Sequence, residues 1–193
     1  MSGKLKETRE RITSVNSTQQ ITKAMKMVSA AKLRRATQAI TEMRPYADRL
    51  NKMMVNILSN LDGDASSSFS VQREVNKMAI VVITSNRGLA GAFNANIGKE
   101  TLKVLKNYKE EQAAGKIDIH FLGKKGLDFL KRKVEGCNLI TDKMDLTLDL
   151  SYDNLATFSQ QLMDNYIDGD YDKIYVVYSQ FKNAGIQNPK AVQ

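Results

Sequence analysis

Cysteine and histidine are nearly absent from this chain, and their scarcity excludes the commonest routes to catalysis. Cys137 is the only cysteine in the 193 residues and His120 the only histidine. A single thiol closes no internal disulfide and anchors no cysteine-based metal cluster. With only one imidazole beside it, triads and zinc sites fall away as well. His120 lies in the strand-like stretch IDIHFL and reads as a partly buried structural residue. No catalytic, cofactor-binding or metal-ligating residue is expected. The sequence also lacks an apolar run of the eighteen or more residues that mark a membrane-spanning helix. Its opening, MSGKLKETRER, has no apolar export core and carries acidic residues unlike a transit peptide. A protein made and kept in a cytoplasmic compartment is the expectation.

Negative charge is also in short supply. The formal net charge is +8, which asks for an acidic partner: nucleic acid, an anionic membrane surface or an acidic protein. Much of the excess sits in the first third of the chain. Lys4, Lys6, Arg9, Arg11, Lys23, Lys26, Lys32, Arg34, Arg35, Arg44, Arg49 and Lys52 are opposed there by Glu7, Glu10, Glu42 and Asp48. The same third has little that breaks a helix. From residue 5 to residue 61 the only breaker is Pro45, which a long helix tolerates as a kink. Such a helix is about 85 Å long at 1.5 Å per residue. Leu33, Ala36, Ile40, Met43, Ala47, Leu50, Met54, Ile57 and Leu61 follow alternating steps of three and four, the seam of a coiled coil. Upstream, Ile12, Val15, Ile21, Met25 and Val28 continue a stripe whose phase Gln19 and Lys32 interrupt. No later segment is long enough to face this seam. The basic exterior is either simply solvated or meets an acidic surface. Tyr46 is its one aromatic residue, which weighs against binding single-stranded nucleic acid.

The expected organisation is a helix over 1–61, a flexible linker over 62–76 (DGDASSSFS is small, polar and glycine-bearing) and a Rossmann-like α/β domain over 77–193. In the last, the period changes. MAIVVIT at 78–84 is a continuous branched apolar run, the pattern of a buried parallel strand. A helix over 96–114, a strand over 117–122, a helix over 126–134 and a short apolar piece at 139–140 follow. Residues 144–150 alternate strictly and fit a strand or an extended loop. Ser151 or Asp153 caps a helix through residue 166, Gly169 closes it, and KIYVVYSQF at 173–181 is another strand. Alternating strands and helices imply a mostly parallel sheet covered on both faces. SNRGLAGAFNAN at 85–96 is the best nucleotide candidate, but Gly88 and Gly91 complete neither G-x-G-x-x-G nor a phosphate loop. These glycines, and the turn Gly123-Lys124-Lys125-Gly126, read as tight corners between strand and helix.

At three places the residues resemble the gamma subunit of rotary F-type ATP synthases. ITSVNSTQQITKAMKMVSAAKL at 12–33 contains the specific string I-T-K-A-M-x-M-V. RPYA at 44–47 matches and accounts for the proline, and TSNRGLAGAFN at 84–94 is supported by GKKG and DKIYVVYSQF. The resemblance runs from residue 1 to about residue 189. It implies that the N-terminal helix pairs antiparallel with a C-terminal helix to form an axle inside the alpha/beta hexamer. It implies further that the Rossmann-like domain meets the epsilon subunit and the c-ring, that no nucleotide or nucleic acid is bound, and that the membrane is reached only through the complex. Location at the cytoplasmic face of a bacterial inner membrane, as a peripheral non-enzymatic subunit, belongs to the same implication. Carried over residue by residue, Lys23, Met25 and Lys26 match the segment that faces the beta subunits' acidic lever. Two departures stand out. Ala90 replaces a frequent cysteine, and the family's C-terminal helix lies outside these residues, so half the axle is expected to be absent and the sheet's last strand is left open. On the residues without the resemblance, a nucleotide-binding α/β enzyme with a basic helical extension and a basic coiled-coil nucleic-acid module remain open.

Overall fold

The computed structural model describes residues 2–60, 69, 73–148 and 151–193. The chain divides into two units, Met1–Ala65 and Ser66–Gln193. Most of the 62–76 linker lies outside the described residues, as does Leu61 of the seam.

The first unit is α1, Ser2–Asn60, 59 residues that pass through Pro45 without a break in helical assignment. Its threonines do not compete with the helix, because their hydroxyls donate back to carbonyls four residues earlier. Thr13 bonds Arg9 O, Thr18 bonds Ser14 O and Thr22 bonds Thr18 O at 2.8–3.0 Å.

The second unit is a sheet with helices on both faces. β1 (Met78–Ile83) lies between β2 (Ile117–Leu122) and β4 (Lys173–Asn183), and β3 (Asn138–Ile140) and β5 (Ile186–Val192) form the edges, in the order β3-β2-β1-β4-β5. The first four strands run parallel and β5 antiparallel. In β1, Met78, Ile80 and Val82 point to one face. There they join Ile117, Ile119 and Phe121 of β2, Val177 of β4, Ile97 and Leu105 of α2 (Phe93–Leu105) and Leu130 of α4 (Lys124–Leu130) in the larger core. Burial of each such side chain stabilises by roughly 1.5–3 kcal/mol. Val81 and Leu122, of the opposite parity, meet Phe158 of α5 (Tyr152–Ile167) on the other face. α2 approaches α4 closely because Gly98 has no side chain: a Cβ there would stand 2.2 Å from the Phe129 ring.

Several boundaries differ from expectation. The helix expected over 96–114 starts at Phe93 and divides, α3 being only Lys109–Ala113. Tyr108 breaks it with φ −131° and ψ 46°, and its hydroxyl lies 3.1 Å from that of Tyr175 on β4. α4 stops at Leu130, where Lys133 N–H bonds the Leu130 carbonyl in a tighter turn. The alternating stretch after residue 144 is neither strand nor extended loop over its described part, but a 3-10 turn, Met144–Thr147. Ser151, not Asp153, caps α5 by accepting from Asn154 N–H. The strand β5 was not foreseen. Asn183 makes the hairpin, its Oδ1 accepting from the N–H groups of Gly185 and Ile186 at 2.9 and 2.8 Å, and Pro189 sits in β5 because that strand is an edge.

Candidate functional site

α1 turns nearly its whole surface outward. Among its described side chains only Thr37 is partly covered, and the large seam residues range from 37% exposed at Ile40 to 66% at Met43. Ala36 and Ala47 are exposed as well. Lys23 and Lys26, three residues apart, share a helical face and are exposed. Met25, 64% exposed, falls on a different face with Ile21 and Val28. The expected trio is thus a pair of lysines beside an apolar stripe. Arg11 is held by Glu7 at 2.9 Å across one turn.

In the second unit the glycine-bearing loop after β1 and the turn after β2 come together at the carboxyl ends of the strands, where α/β folds often bind phosphates. Here the helix donors a phosphate would use are already engaged. Lys124 N–H bonds Asn86 Oδ1 at 3.0 Å, Lys125 N–H bonds the Ser85 carbonyl at 3.0 Å, and Gly126 N–H bonds Thr84 Oγ1 at 2.8 Å. The Thr84 hydroxyl, buried, donates in turn to the Gly123 carbonyl at 3.0 Å. Gly123 has φ 106°, and a Cβ on it would stand 2.2 Å from the Thr84 carbonyl oxygen. The loop is closed on itself by Asn94, whose Oδ1 accepts from Ser85 N–H at 3.0 Å. Asn86 also ties the corner to the 3-10 turn, donating to Thr147 Oγ1 at 2.6 Å. One loop therefore caps the helix of the other. Beyond this sealed corner Leu89 stands fully exposed at φ 61°, a left-handed conformation uncommon outside glycine.

The opposite, amino-terminal edge of the sheet holds a second polar cluster. Asp118 is buried and accepts from Asn138 Nδ2 at 2.8 Å and from Tyr171 Oη at 2.8 Å, with Lys77 Nζ 3.2 Å away. Burial pushes this carboxyl upward, but the bonds from Asn138, Tyr171 and Lys77 more than offset it and hold the group below its ordinary value. His120 is buried beside it, and burial pulls the imidazole below its ordinary value. The Cys137 thiol is pushed up to about 11, first by burial and then by Asp118, which leaves it unreactive at neutral pH. The sequence marks these groups weakly. Asp118 and His120 are the polar members of an alternating strand, but Tyr171 and Asn138 carry no signal that they will meet Asp118. Leu89 and Thr84 likewise carry none.

The two units are a long exposed helix and a Rossmann-like layer whose strand-end corner is closed by its own hydrogen bonds. A family model described as ATP synthase matches residues 4–193, and the chain belongs to that family, among its gamma chains. It is 50% identical over 184 residues to the ATP synthase gamma chain of Flavobacterium psychrophilum, covering 95% of this chain and 62% of that one. It is 38% identical over 188 residues to the gamma chain of Prosthecochloris aestuarii, covering 97% and 64%. Among solved structures it resembles the central stalk and c-ring of the Tetrahymena thermophila mitochondrial ATP synthase, with TM-score 0.63, 25% identity and coverage of 89% of this chain and 70% of that one. The rotor of the Euglena gracilis mitochondrial ATP synthase shares the fold at TM-score 0.56 and 23% identity, covering 100% and 63%. The chain thus spans about three fifths of the length of the relatives it matches. No helix among the described residues is long and apolar enough to cross a membrane.

Proposed function

We propose that this chain serves as the central-stalk gamma subunit of a proton-translocating F-type ATP synthase, coupling rotation of the c-ring to ATP synthesis or hydrolysis in the alpha/beta hexamer. The observation that carries this role is α1: a 59-residue helix with an apolar seam exposed along one side and a basic surface elsewhere. Its partners are the alpha and beta subunits around the shaft and the epsilon subunit and c-ring at the base. The subunit is non-catalytic and peripheral, at the cytoplasmic face of a bacterial inner membrane, and touches the membrane only through the complex. Lys23, Met25 and Lys26 face the acidic lever of the beta subunits. The lysines offer a compact, mobile charge and Met25 a compliant apolar contact. Such contacts are numerous and individually weak, because a deep bidentate trap at one angle would stall rotation. The seam from Leu33 to Leu61 takes a second helix antiparallel to the first.

The test is co-expression with alpha and beta subunits, using the chain itself and a longer form spanning a relative's full length. A rotor subunit co-purifies with the hexamer in at least the longer form and supports its ATP hydrolysis. Stoichiometric ATP binding by the chain alone at residues 88–94, with no association with the hexamer, would overturn the proposal.

A further inference from the structure

His120 lies at the centre of a buried contact that the rotor role does not use. Its Nε2 is 3.3 Å from Tyr171 Oη, and that phenol lies 2.8 Å from Asp118 Oδ2. A phenol has one proton. Tyr171 gives it to the carboxylate, so towards His120 the oxygen accepts and the imidazole proton resides on Nε2. This leaves Nδ1 bare, and Nδ1 is buried with no hydrogen-bond partner. The ring packs 5.8 Å from Phe158 at a tilt of 58° and edge-on to Tyr171 at 6.2 Å. Phe158 is the one residue of α5 that is buried, so the helix's firmest hold on the sheet runs through a ring that rests on His120.

We propose that His120, Tyr171 and Asp118 form a proton-released latch: the neutral imidazole holds α5 and the turn before β4 on the sheet, and protonation at Nδ1 loosens both. A proton on Nδ1 places a new N–H and a positive charge where no acceptor waits, and a buried unpaired group of this kind is costly. The charges around the ring do not remove that cost. Asp118 on β2 and Asp142 after β3 favour the imidazolium, Lys77 before β1 opposes it, and α5 contributes only uncharged Phe158. Asp118 is already committed to Lys77, Asn138 and Tyr171. Burial prevails, and the folded imidazole stays neutral below its ordinary value.

The direction of the effect follows. In the unfolded chain His120 takes a proton near pH 6.5, and in the folded chain only at lower pH. The latch therefore contributes its full stability above about pH 6.5 and loses it as pH falls through the window below. Within that window the unfolding equilibrium constant rises by up to about tenfold per pH unit.

Because the chain has a single histidine, the imidazole proton signals of the untagged full chain need no assignment. Proton NMR from pH 8 to pH 5, with hydrogen-exchange protection of residues 152–167 corrected for intrinsic rate, follows the ring and the helix together. The expected result is titration below pH 6.5 with protection of α5 falling in step. In His120→Phe, which keeps the ring packing, the fall in protection disappears. Titration at or above pH 6.5 in the wild-type chain, or α5 protection indifferent to it, would overturn the proposal whether or not the variant folds. So would a His120→Phe chain that folds and keeps the same pH dependence.

Discussion

The guanidinium of Arg73 donates from Nη2 to the carbonyl of Tyr166 at 2.6 Å and lies 4.6 Å from the centroid of that residue's ring. Tyr166 stands in the last turn of α5, where carbonyls take partners from beyond the helix, and its oxygen also accepts from Gly169 N–H at 3.4 Å. Arg73 adds a second donor and places a cation at the negative end of the helix. Arg73→Ala is expected to lower stability by about 1–2 kcal/mol, and Arg73→Lys to recover part of the loss. The urea midpoint of the full chain measures this; an unchanged midpoint in Arg73→Ala would remove the cap from the explanation of how α5 ends.

At the sealed corner, Thr84 Oγ1 both donates to Gly123 O and accepts from Gly126 N–H. Thr84→Val keeps the shape and loses both bonds, leaving a buried N–H unpaired at a cost of about 1–3 kcal/mol. Thr84→Ser retains the hydroxyl and is expected to remain near wild type. If valine proves as stable as serine, the corner is held by packing and not by that hydroxyl.

Asp118 links stability to acid in a range distinct from that of His120. Its folded pKa is depressed, so its stabilisation is present above the unfolded value of about 3.9 and lost as pH falls through the lower folded value. Asp118→Asn is expected to cost about 1.5–3 kcal/mol at pH 7, the scale of hydrogen bonds to a charged group. The difference from wild type should shrink below pH 4. Denaturant titrations of both chains at pH 7 and pH 3 decide this, and a difference that stays constant would place the loss in packing.

Leu89 combines φ 61° with complete exposure. Relief of the left-handed strain by Leu89→Gly, set against the flexibility glycine adds, gives a gain of up to about 1 kcal/mol. A strained residue that buries nothing in the chain itself points to a role in contact. The variant is therefore expected to hold or raise the melting temperature while weakening assembly with the other subunits, read by pull-down. Lost stability with intact assembly would assign Leu89 a purely internal role.

For the shaft, the expectation concerns a change of sign. In the proposed role, Met25→Glu adds a negative charge to a helix face that passes over an acidic lever, where like charges repel, while many weak contacts elsewhere on α1 keep the complex together. Proton pumping per ATP hydrolysed is expected to fall by more than the yield of assembled complex. Equal losses in both would mean that Met25 acts in assembly.

Elements set by local pattern were legible in the sequence, and those set by distant partners were not. The MAIVVI run announced β1 because a strand buried on both faces is apolar throughout, and the absence of breakers announced α1 over nearly its full length. A cap at Ser151 or Asp153 was legible because such a side chain closes its own first turn, and Ser151 is the one that does so. Tyr108, between α2 and α3, leaves helical geometry while its hydroxyl meets that of Tyr175, 67 residues away on β4, a contact periodicity cannot foresee. β5 carries Pro189 among polar neighbours, a pattern that gives no strand signal until the strand is known to lie at an edge. At the corner, the glycines of the GKKG turn showed that something comes close, but not that Thr84, Asn86 and Thr147 supply the contacts. On α1, sequence and structure together give an exposed seam and a basic face. What meets them is a matter of assembly.

Rotation decides that matter. An alpha/beta hexamer fixed to a surface, assembled with the longer form of this subunit bearing a fluorescent bead on the α/β domain, can be watched while ATP is supplied. A rotor subunit carries the bead around in one direction, in steps whose rate follows ATP concentration and which stop when hydrolysis is inhibited. ATP hydrolysis by the assembled complex with the bead at rest would contradict the role proposed for this chain.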